Sequence, residues 1–358
     1  MPEAAEAAVV EPAVASDSLD AWQALLAAEL TPVKALEFGR QIASGRLNRE
    51  SFLTHQALTA NEAKKAARAS RIADNLPPGI SLIPQKDYPE LLHQITLPPA
   101  ALFCWGDFEV TKLPTAAIVG TRGASTYGRA VATKFAEAFA RAGVTVVSGG
   151  AVGIDAAAHK GALAAGGKTV AVVAGSIDST YPAANIALFE AIRGSGCLIS
   201  QFAMGTKQEA FRFIVRNGLI AALSQVTVLI EAPARSGGLS TAHSANEFGR
   251  HVFVVPANID NRNFAGSHAL IRDGATLVDH PDQVLEAMDL AAAPERTLPT
   301  YLSDTARLIH NVLTMEPKSV DKISELTGLD AVVILSDLTM LEVEGAAMRD
   351  GPGYVNRL

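Results

Sequence analysis

Four glycine-rich segments carry the residue types and spacings that could do chemistry: IVGTRGASTYG from Ile118, VSGGAVGID from Val147, VAGSID from Val173 and IEAPARSGGLSTA from Ile230. Glycine and serine let a backbone come close to a phosphate. The first N–H groups of a following helix are unpaired and carry partial positive charge. One such cluster ends a strand in any α/β protein, whereas four collected on one edge describe an anion site. Basic residues stand beside them. Arg122 follows the first apolar run, Arg235 precedes SGGLSTA, and Lys207, Arg212 and Arg216 lie in GTKQEAFRFIVRNGLIAAL. On one helix the i,i+4 pair Arg212 and Arg216 costs about 0.2–0.5 kcal/mol as like charges, which a bound phosphate would relieve. Arginines splayed into solvent are the plain alternative.

Other chemistry finds little support. There is neither GxGxxG nor GxxxxGK[ST], so no dinucleotide fingerprint or triphosphate loop supplies a cofactor. SGG and GGLS lack the GxSxG spacing of a nucleophile elbow, and no metal-ligand cluster occurs. His159 falls four residues after Asp155 among alanines, a spacing that suits a helix-to-sheet contact better than acid–base work. Glu231 and Glu247 are the acids placed for general-acid work at such an edge. Cys104 and Cys197 have no local partners for a disulfide framework or a zinc site. The expectation is a chain without cofactor or metal, and not an enzyme.

The elements that must position these residues are legible between Thr115 and His280. Short apolar runs, TAAIVG, VTVVSG, KTVAVVAG, CLIS, VTVLIEA and HVFVVPA, alternate with helical patterns such as Tyr127 to Gly143, where Val131, Phe135 and Phe139 recur every four residues. That is the pattern of a doubly wound, mostly parallel α/β sheet, which binds ligands outside the carboxyl ends of its strands. Upstream, residues 17–75 read as short, polar-faced, alanine-rich helices. ISLIPQKDYPELLHQITLPPAALFCWGD reads as an extended connector. Downstream, LAAAPERTLPT is a linker, followed by three helical patterns and two strand-like ends around Asp350-Gly351-Pro352-Gly353, which suggests a winged helix. The expected organisation is a loose tail over 1–16, a helical (SAM-like) domain over 17–78, a Rossmann-like domain over 79–289, a linker over 290–300 and a winged-helix domain over 301–358.

Composition sets the outer limits. The 358 residues are 49% hydrophobic and 19% charged, as in a soluble globular protein, with no apolar run of membrane-spanning length and an acidic N-terminus unlike a signal peptide. A cytoplasmic protein without a membrane partner is expected. The net charge of −7 would repel a polyanion, but residues 115–281 carry 14 Lys and Arg against 10 Asp and Glu. The basic excess lies where the glycine clusters are.

In order along the chain, IVGTRGASTYG, VSGGAVGIDAAAHKGAL, TVAVVAGSIDSTYPAAN, LISQFAMGT, FIVRNGLIAALS, VLIEAPARSGGLSTA, SANEFGRHVFVVPAN and GSHALIRDGA resemble the motifs of the DNA-processing protein A (DprA/Smf) family of natural transformation. The resemblance spans about residues 80–280. It implies an extended Rossmann-like domain that binds single-stranded DNA, protects incoming DNA, forms a homodimer and loads the RecA recombinase while displacing single-strand-binding protein. On this reading Arg122, Arg216 and Arg235 are phosphate partners. Lys207, Arg212, Asn217, the hydroxyls of Ser125, Ser148, Ser236 and Ser240, and the backbone of Gly149, Gly150 and Gly237 complete the nucleic-acid site. Phe211, Phe213 and Tyr127 are either stacking residues or core.

The chain departs from the family pattern at several positions. Gly218 stands where an arginine is usual, which removes a cation from the expected DNA edge, and Ala183 follows Tyr181-Pro182 where a basic residue is frequent. In the C-terminal module the third helical pattern, LDAVVILSDLTMLEVEG, has no Lys or Arg and several acids, so it would repel DNA and suits protein contact or regulation. The rival reading is a nucleoside-monophosphate phosphoribohydrolase of the lysine-decarboxylase-like type, with Glu247 acting on water or ribose and Arg122 or Arg235 holding the 5′-phosphate.

Overall fold

The computed structural model describes residues 16–68, 76–179, 181–291, 301–314 and 317–356. Residues 1–15 of the expected tail and 292–300 of the expected linker lie outside them. The chain opens with helices α1 (Ser16–Ala27), α2 (Pro32–Ala43), α3 (Arg49–Leu53) and α4 (Ala60–Arg68). Strands β1 (Ile80–Pro84) and β2 (Ala101–Gly106) follow, separated by the single-turn α5 (Glu90–His93). Strands and helices then alternate: β3 (Thr115–Val119), α6 (Thr126–Arg141), β4 (Thr145–Ser148), α7 (Ile154–Ala164), β5 (Thr169–Val172), α8 (Ile186–Ser195) and β6 (Cys197–Ser200). The second half continues with α9 (Ala210–Ala222), β7 (Val226–Leu229), α10 (Gly237–Glu247), β8 (His251–Val254), α11 (Ala265–Arg272), β9 (Thr276–Leu277) and α12 (Pro281–Ala287). Helices α13 (Asp304–Val312), α14 (Val320–Thr327) and α15 (Ala331–Val343) and the hairpin β10 (Ala347–Asp350) and β11 (Gly353–Asn356) complete it.

The large sheet has the order β1-β2-β6-β5-β4-β3-β7-β8-β9, parallel from β6 to β9 and antiparallel at β1 and β2. All six apolar runs are strands, β3 to β8. Fully buried β3 to β7 explain why they read as continuous apolar runs rather than alternating ones. Helix α6 lies over the sheet through Val131, Phe135 and Phe139, is capped by Ser125, and its chain turns away at Gly143 with φ +78. Helix α9 covers the opposite face through Leu219 and Ile220.

Two expectations need correction. The segment from Ile80 to Gly106 is not a connector: its two ends pair as β1 and β2, and β2 extends the sheet beside β6 by sending Phe103 to one face and Cys104 to the other. Its prolines sit at the strand end and in the intervening loop, where no ladder hydrogen bond is lost. The N-terminal helices are not merely polar-faced either. Trp22, Leu25, Phe38, Ile42 and Phe52 are buried in a core shared with Leu82, Phe103, Ala171, Phe189 and Leu198 of the sheet layer. This core crosses the expected boundary at 78/79. Burying each large side chain contributes about 1.5–3 kcal/mol. Gln23, fully buried, fixes the register: its amide nitrogen donates to the Met204 carbonyl and its oxygen accepts from the Met204 N–H, both at 2.9 Å.

Helices α13 to α15 and the β10–β11 hairpin enclose a core of their own around Ile309, Ile323, Ile334, Leu338 and Tyr354. Among the described residues no helix is long and apolar enough to cross a membrane.

Candidate functional site

Strands β4, β5 and β6 lie successively to one side of β3, and β7 and β8 to the other. The chain thus reverses direction across the sheet between β3 and β7, which is where an open α/β sheet leaves a crevice at its carboxyl edge. A cavity of about 290 Å³ occupies that place. Its wall is built from the turn after β3 (Thr121, Arg122), Ala151 and Asp155 around the start of α7, Phe213, Arg216 and Asn217 of α9, and Arg235, Ser236 and Gly237 at the start of α10. Three guanidinium groups and one carboxylate line it. A smaller annex beside it adds Gly149, Tyr181, Pro182 and Gln208 to Arg122, Phe213 and Arg216.

Each cation is positioned differently. Arg216 is 5% exposed. Its Nη1 donates to the carbonyls of Gly149 (2.5 Å) and Val172 (2.6 Å) and its Nε to Asn217 Oδ1 (3.1 Å). Burial holds its pKa down to about 10, against the opposing field of Asp155, with Arg122 pushing further down. Burial raises the Asp155 carboxyl, while Arg216 and the N–H of Ala151 pull it back. Arg122 is exposed, with its guanidinium 4.7 Å from the centre of the Phe213 ring. That ring also contacts the half-exposed Tyr181 at 6.2 Å. Arg235 is exposed on the turn leading to Ser236.

The Arg122 turn is held from beneath. Glu231, fully buried just past β7, accepts the Ser125 hydroxyl (2.6 Å), the Ser125 N–H and Asn263 Nδ2 (2.8 Å). Gly153, at φ +87, packs against the same turn so closely that a Cβ would lie 2.4 Å from the Thr121 carbonyl and 2.6 Å from that of Arg122. Asn217 ties α9 to α10 by donating to the Gly237 carbonyl (3.1 Å) and to Ser240 Oγ (2.7 Å). Ser236 caps α10 by accepting from the Gly238 N–H.

The structure therefore brings Arg122, Arg216, Asn217, Arg235, Ser236 and Gly237 together, with Gly149 and Ser240 at the margin. It does not bring in the rest. Ser148 is fully buried with its hydroxyl given to the Ile118 carbonyl at 2.7 Å, so it cannot hold a ligand at the surface. Ser125 spends its hydroxyl on Glu231, and buried Gly150 presents its carbonyl to Asn185 Nδ2. Lys207 is exposed but lines neither cavity. Arg212 shares α9 with Arg216 yet points elsewhere, pairing with Glu29 of the α1–α2 connection and with Glu209 at 3.3 Å. Carboxylates and carbonyls of the chain itself, not an anion between them, relieve the two like charges. Glu231 is a clamp rather than a free acid. Glu247 is exposed at the far end of α10, about 15 Å from the helix start.

Tyr181 and Gln208 were not read from the sequence, and Phe213 was left undecided, because contacts between loops over 30 residues apart leave no local signature. Gly218 lines a different, apolar cavity with Leu25, Phe211, Val215 and Phe248, so the arginine lacking there is not lost from this rim. Tyr127 packs on Phe264 and is core-facing.

His159 is fully buried with Nδ1 2.7 Å from Thr169 Oγ1. That hydroxyl donates to the Val146 carbonyl, so the ring donates to it and serves as a helix-to-sheet contact. Burial, with Arg216 adding to it, pushes its pKa down to about 3. The unfolded chain takes up a proton near pH 6.5 that the folded chain refuses, so stability falls as pH drops. Between pH 7.5 and 5 this residue should account for about 2 kcal/mol of lost stability. Urea unfolding of the parent and His159→Asn at both pH values checks this: the parent should lose that much more, and equal losses would refute it.

The family model of DNA recombination-mediator protein A matches residues 80–289. A Mycobacterium tuberculosis protein bearing the name DNA processing protein DprA is 40% identical over 263 residues, covering 71% of this chain and 68% of its own. The X-ray structure of DNA processing protein A from Streptococcus pneumoniae superposes with a TM-score of 0.64 at 31% identity, covering 75% of this chain and 97% of that one. The Helicobacter pylori DNA processing protein A, solved for its single-stranded DNA binding mode, gives a TM-score of 0.54 at 27% identity over 58% of this chain and 95% of that one.

Proposed function

The chain belongs to the DNA recombination-mediator protein A family, and from that premise we propose that it grips single-stranded DNA at the crevice between β3 and β7. The observation that carries this reading is the convergence of Arg122, Arg216 and Arg235 with the start of α10 on one cavity. Three guanidiniums against one buried carboxylate give the crevice a positive field within a molecule of net charge −7. Helix α10 runs eleven residues from that crevice, and its first N–H groups add partial positive charge to it. Phosphate contacts of this kind carry no sequence information, which suits incoming DNA of any sequence. Phe213 and Tyr181 offer ring faces beside the cations on which unpaired bases stack.

As the family resemblance implies, we extend the proposal to protection of incoming single strands and their delivery to the RecA recombinase during transformation, with displacement of single-strand-binding protein, by a homodimer. For the division of labour we propose a helical unit over 17–78 that shares its core with the sheet layer, a Rossmann-like DNA-binding unit over 79–289, and a winged-helix unit over 301–358 for protein contact or regulation. No enzymatic step enters the proposal. The phosphoribohydrolase alternative loses its general acid, since Glu247 sits at the wrong end of α10. Release of adenine from AMP would revive it.

A titration of labelled oligo-dT and of its duplex at two salt concentrations tests the main reading. Tighter binding of the unpaired strand, weakening steeply with salt, is expected; equal affinity or indifference to salt would remove it. Removing residues 301–358 should change single-strand affinity by less than threefold, under about 1 kcal/mol, because the module has its own core and an acidic third helix. A tenfold loss would contradict this.

A further inference from the structure

Helix α15 carries large apolar side chains on both faces, yet among the described residues only one face is covered. Ile334, Leu338 and Leu341 point into the core of the C-terminal module. On the opposite side Val332 is 75% exposed and Val343 74%, flanked by Leu335 (47%), Met340 (43%) and Val333 (39%). At about 100° per residue, Val332 and Val343 share the centre of that face with Ser336 and Thr339. A helix apolar all round belongs in an interior, and a cluster of this kind at a surface marks a contact with another molecule.

The charges around the stripe select the occupant. Residues 330–344 contain Asp330, Asp337, Glu342 and Glu344 and no Lys or Arg. Glu342 lies to one side of the stripe, and Asp337 and Glu344 to the other. Asp337 receives the hydroxyls of Ser303 (3.0 Å) and Thr305, and Glu342 the N–H of Arg349 (3.1 Å). These partners occupy lone pairs without cancelling charge. An acidic border repels nucleic acid and an anionic bilayer. A second copy would set like-charged borders against each other, which disfavours self-association through this face.

We propose that the outer face of α15 docks an amphipathic helix of a partner protein whose apolar stripe is bordered by Lys or Arg. The docking mode is helix against helix: the partner's apolar residues, spaced three and four apart, cover Val332, Met340 and Val343 while its cations meet Glu342 on one border and Asp337 on the other. None of these side chains lines the arginine-lined crevice.

The test uses the full chain and three labelled helical peptides of about 18 residues with the same leucine stripe and a polar face of Lys, Gln or Glu. By fluorescence anisotropy, the Lys peptide should bind at least tenfold tighter than the Gln peptide, and the Glu peptide weakest. In the Val332→Ser/Val343→Ser variant, which alters only exposed side chains, the Lys peptide should lose at least tenfold. Equal binding of that peptide to variant and parent would mean attraction to acidic charge alone and would overturn the proposal. So would no binding of any peptide at about 100 µM. Sedimentation separates the other occupant: if the variant is less dimeric than the parent, the face belongs to a second copy and the proposal fails.

Discussion

Replacing Arg122 and Arg235 together by alanine is expected to weaken single-stranded oligo-dT binding about a hundredfold at low salt, about 2.7 kcal/mol. Both side chains are exposed on turns at the crevice, and neither is the hub of a buried network, so the fold should survive. Each removes one phosphate contact, and the slope of log affinity against log salt should fall by about 0.7 per residue on a single strand. Arg122 has a second role, because its guanidinium lies over the Phe213 ring and holds that ring beside the phosphate path. Arg122→Lys should therefore keep the salt slope while losing part of the affinity, since an ammonium carries the charge but not the flat stacking surface. Titrations at several salt concentrations resolve the two effects. An unchanged slope in the double variant would place the strand elsewhere on the molecule.

Arg216→Ala is expected to act on the fold first, lowering stability by about 3–5 kcal/mol. The side chain is buried among the Gly149 and Val172 carbonyls and the Asp155 carboxylate, and its loss leaves an uncompensated acid and two unpaired acceptors. Asp155→Asn in the same chain should restore part of the loss by removing the stranded charge. Urea midpoints at neutral pH measure both variants. A loss under about 1 kcal/mol would show that the guanidinium is not a structural part of the crevice floor. Arg122 and Arg216 line the same cavity, yet removing the first should cost affinity and removing the second stability, because one is solvent-facing and the other is not.

That difference marks how far the sequence could be read. Six apolar runs named six strands because burial on both faces writes an unbroken signal, and Gly143 announced the end of α6, whereas Ser125, read as a DNA contact, caps its start. Arg122, Arg235 and Ser236 were legible because they sit on turns directly after strands, where topology alone brings them to one edge. Arg212 and Arg216 were not separable: four residues apart on α9, they are sent to different places by Glu29, far back in the chain, and by carbonyls at the ends of β4 and β5. Ser148 looked available because serine at a strand end usually is, and only the neighbouring strand's Ile118 carbonyl decides otherwise. Strands β1 and β2 were hidden by their prolines. Long-range hydrogen bonds have no local spelling.

The two bonds between Gln23 and Met204 join residues 181 positions apart, and the core they seal is completed by Phe189 and Leu198. During synthesis the first helices emerge long before the strands that cover them. At roughly 5–20 residues per second that interval is about 9–36 s. Throughout it Trp22, Leu25, Phe38 and Phe52 have no sheet to rest on, so the final packing of the first helices waits on the pace of synthesis rather than on their own helix propensity.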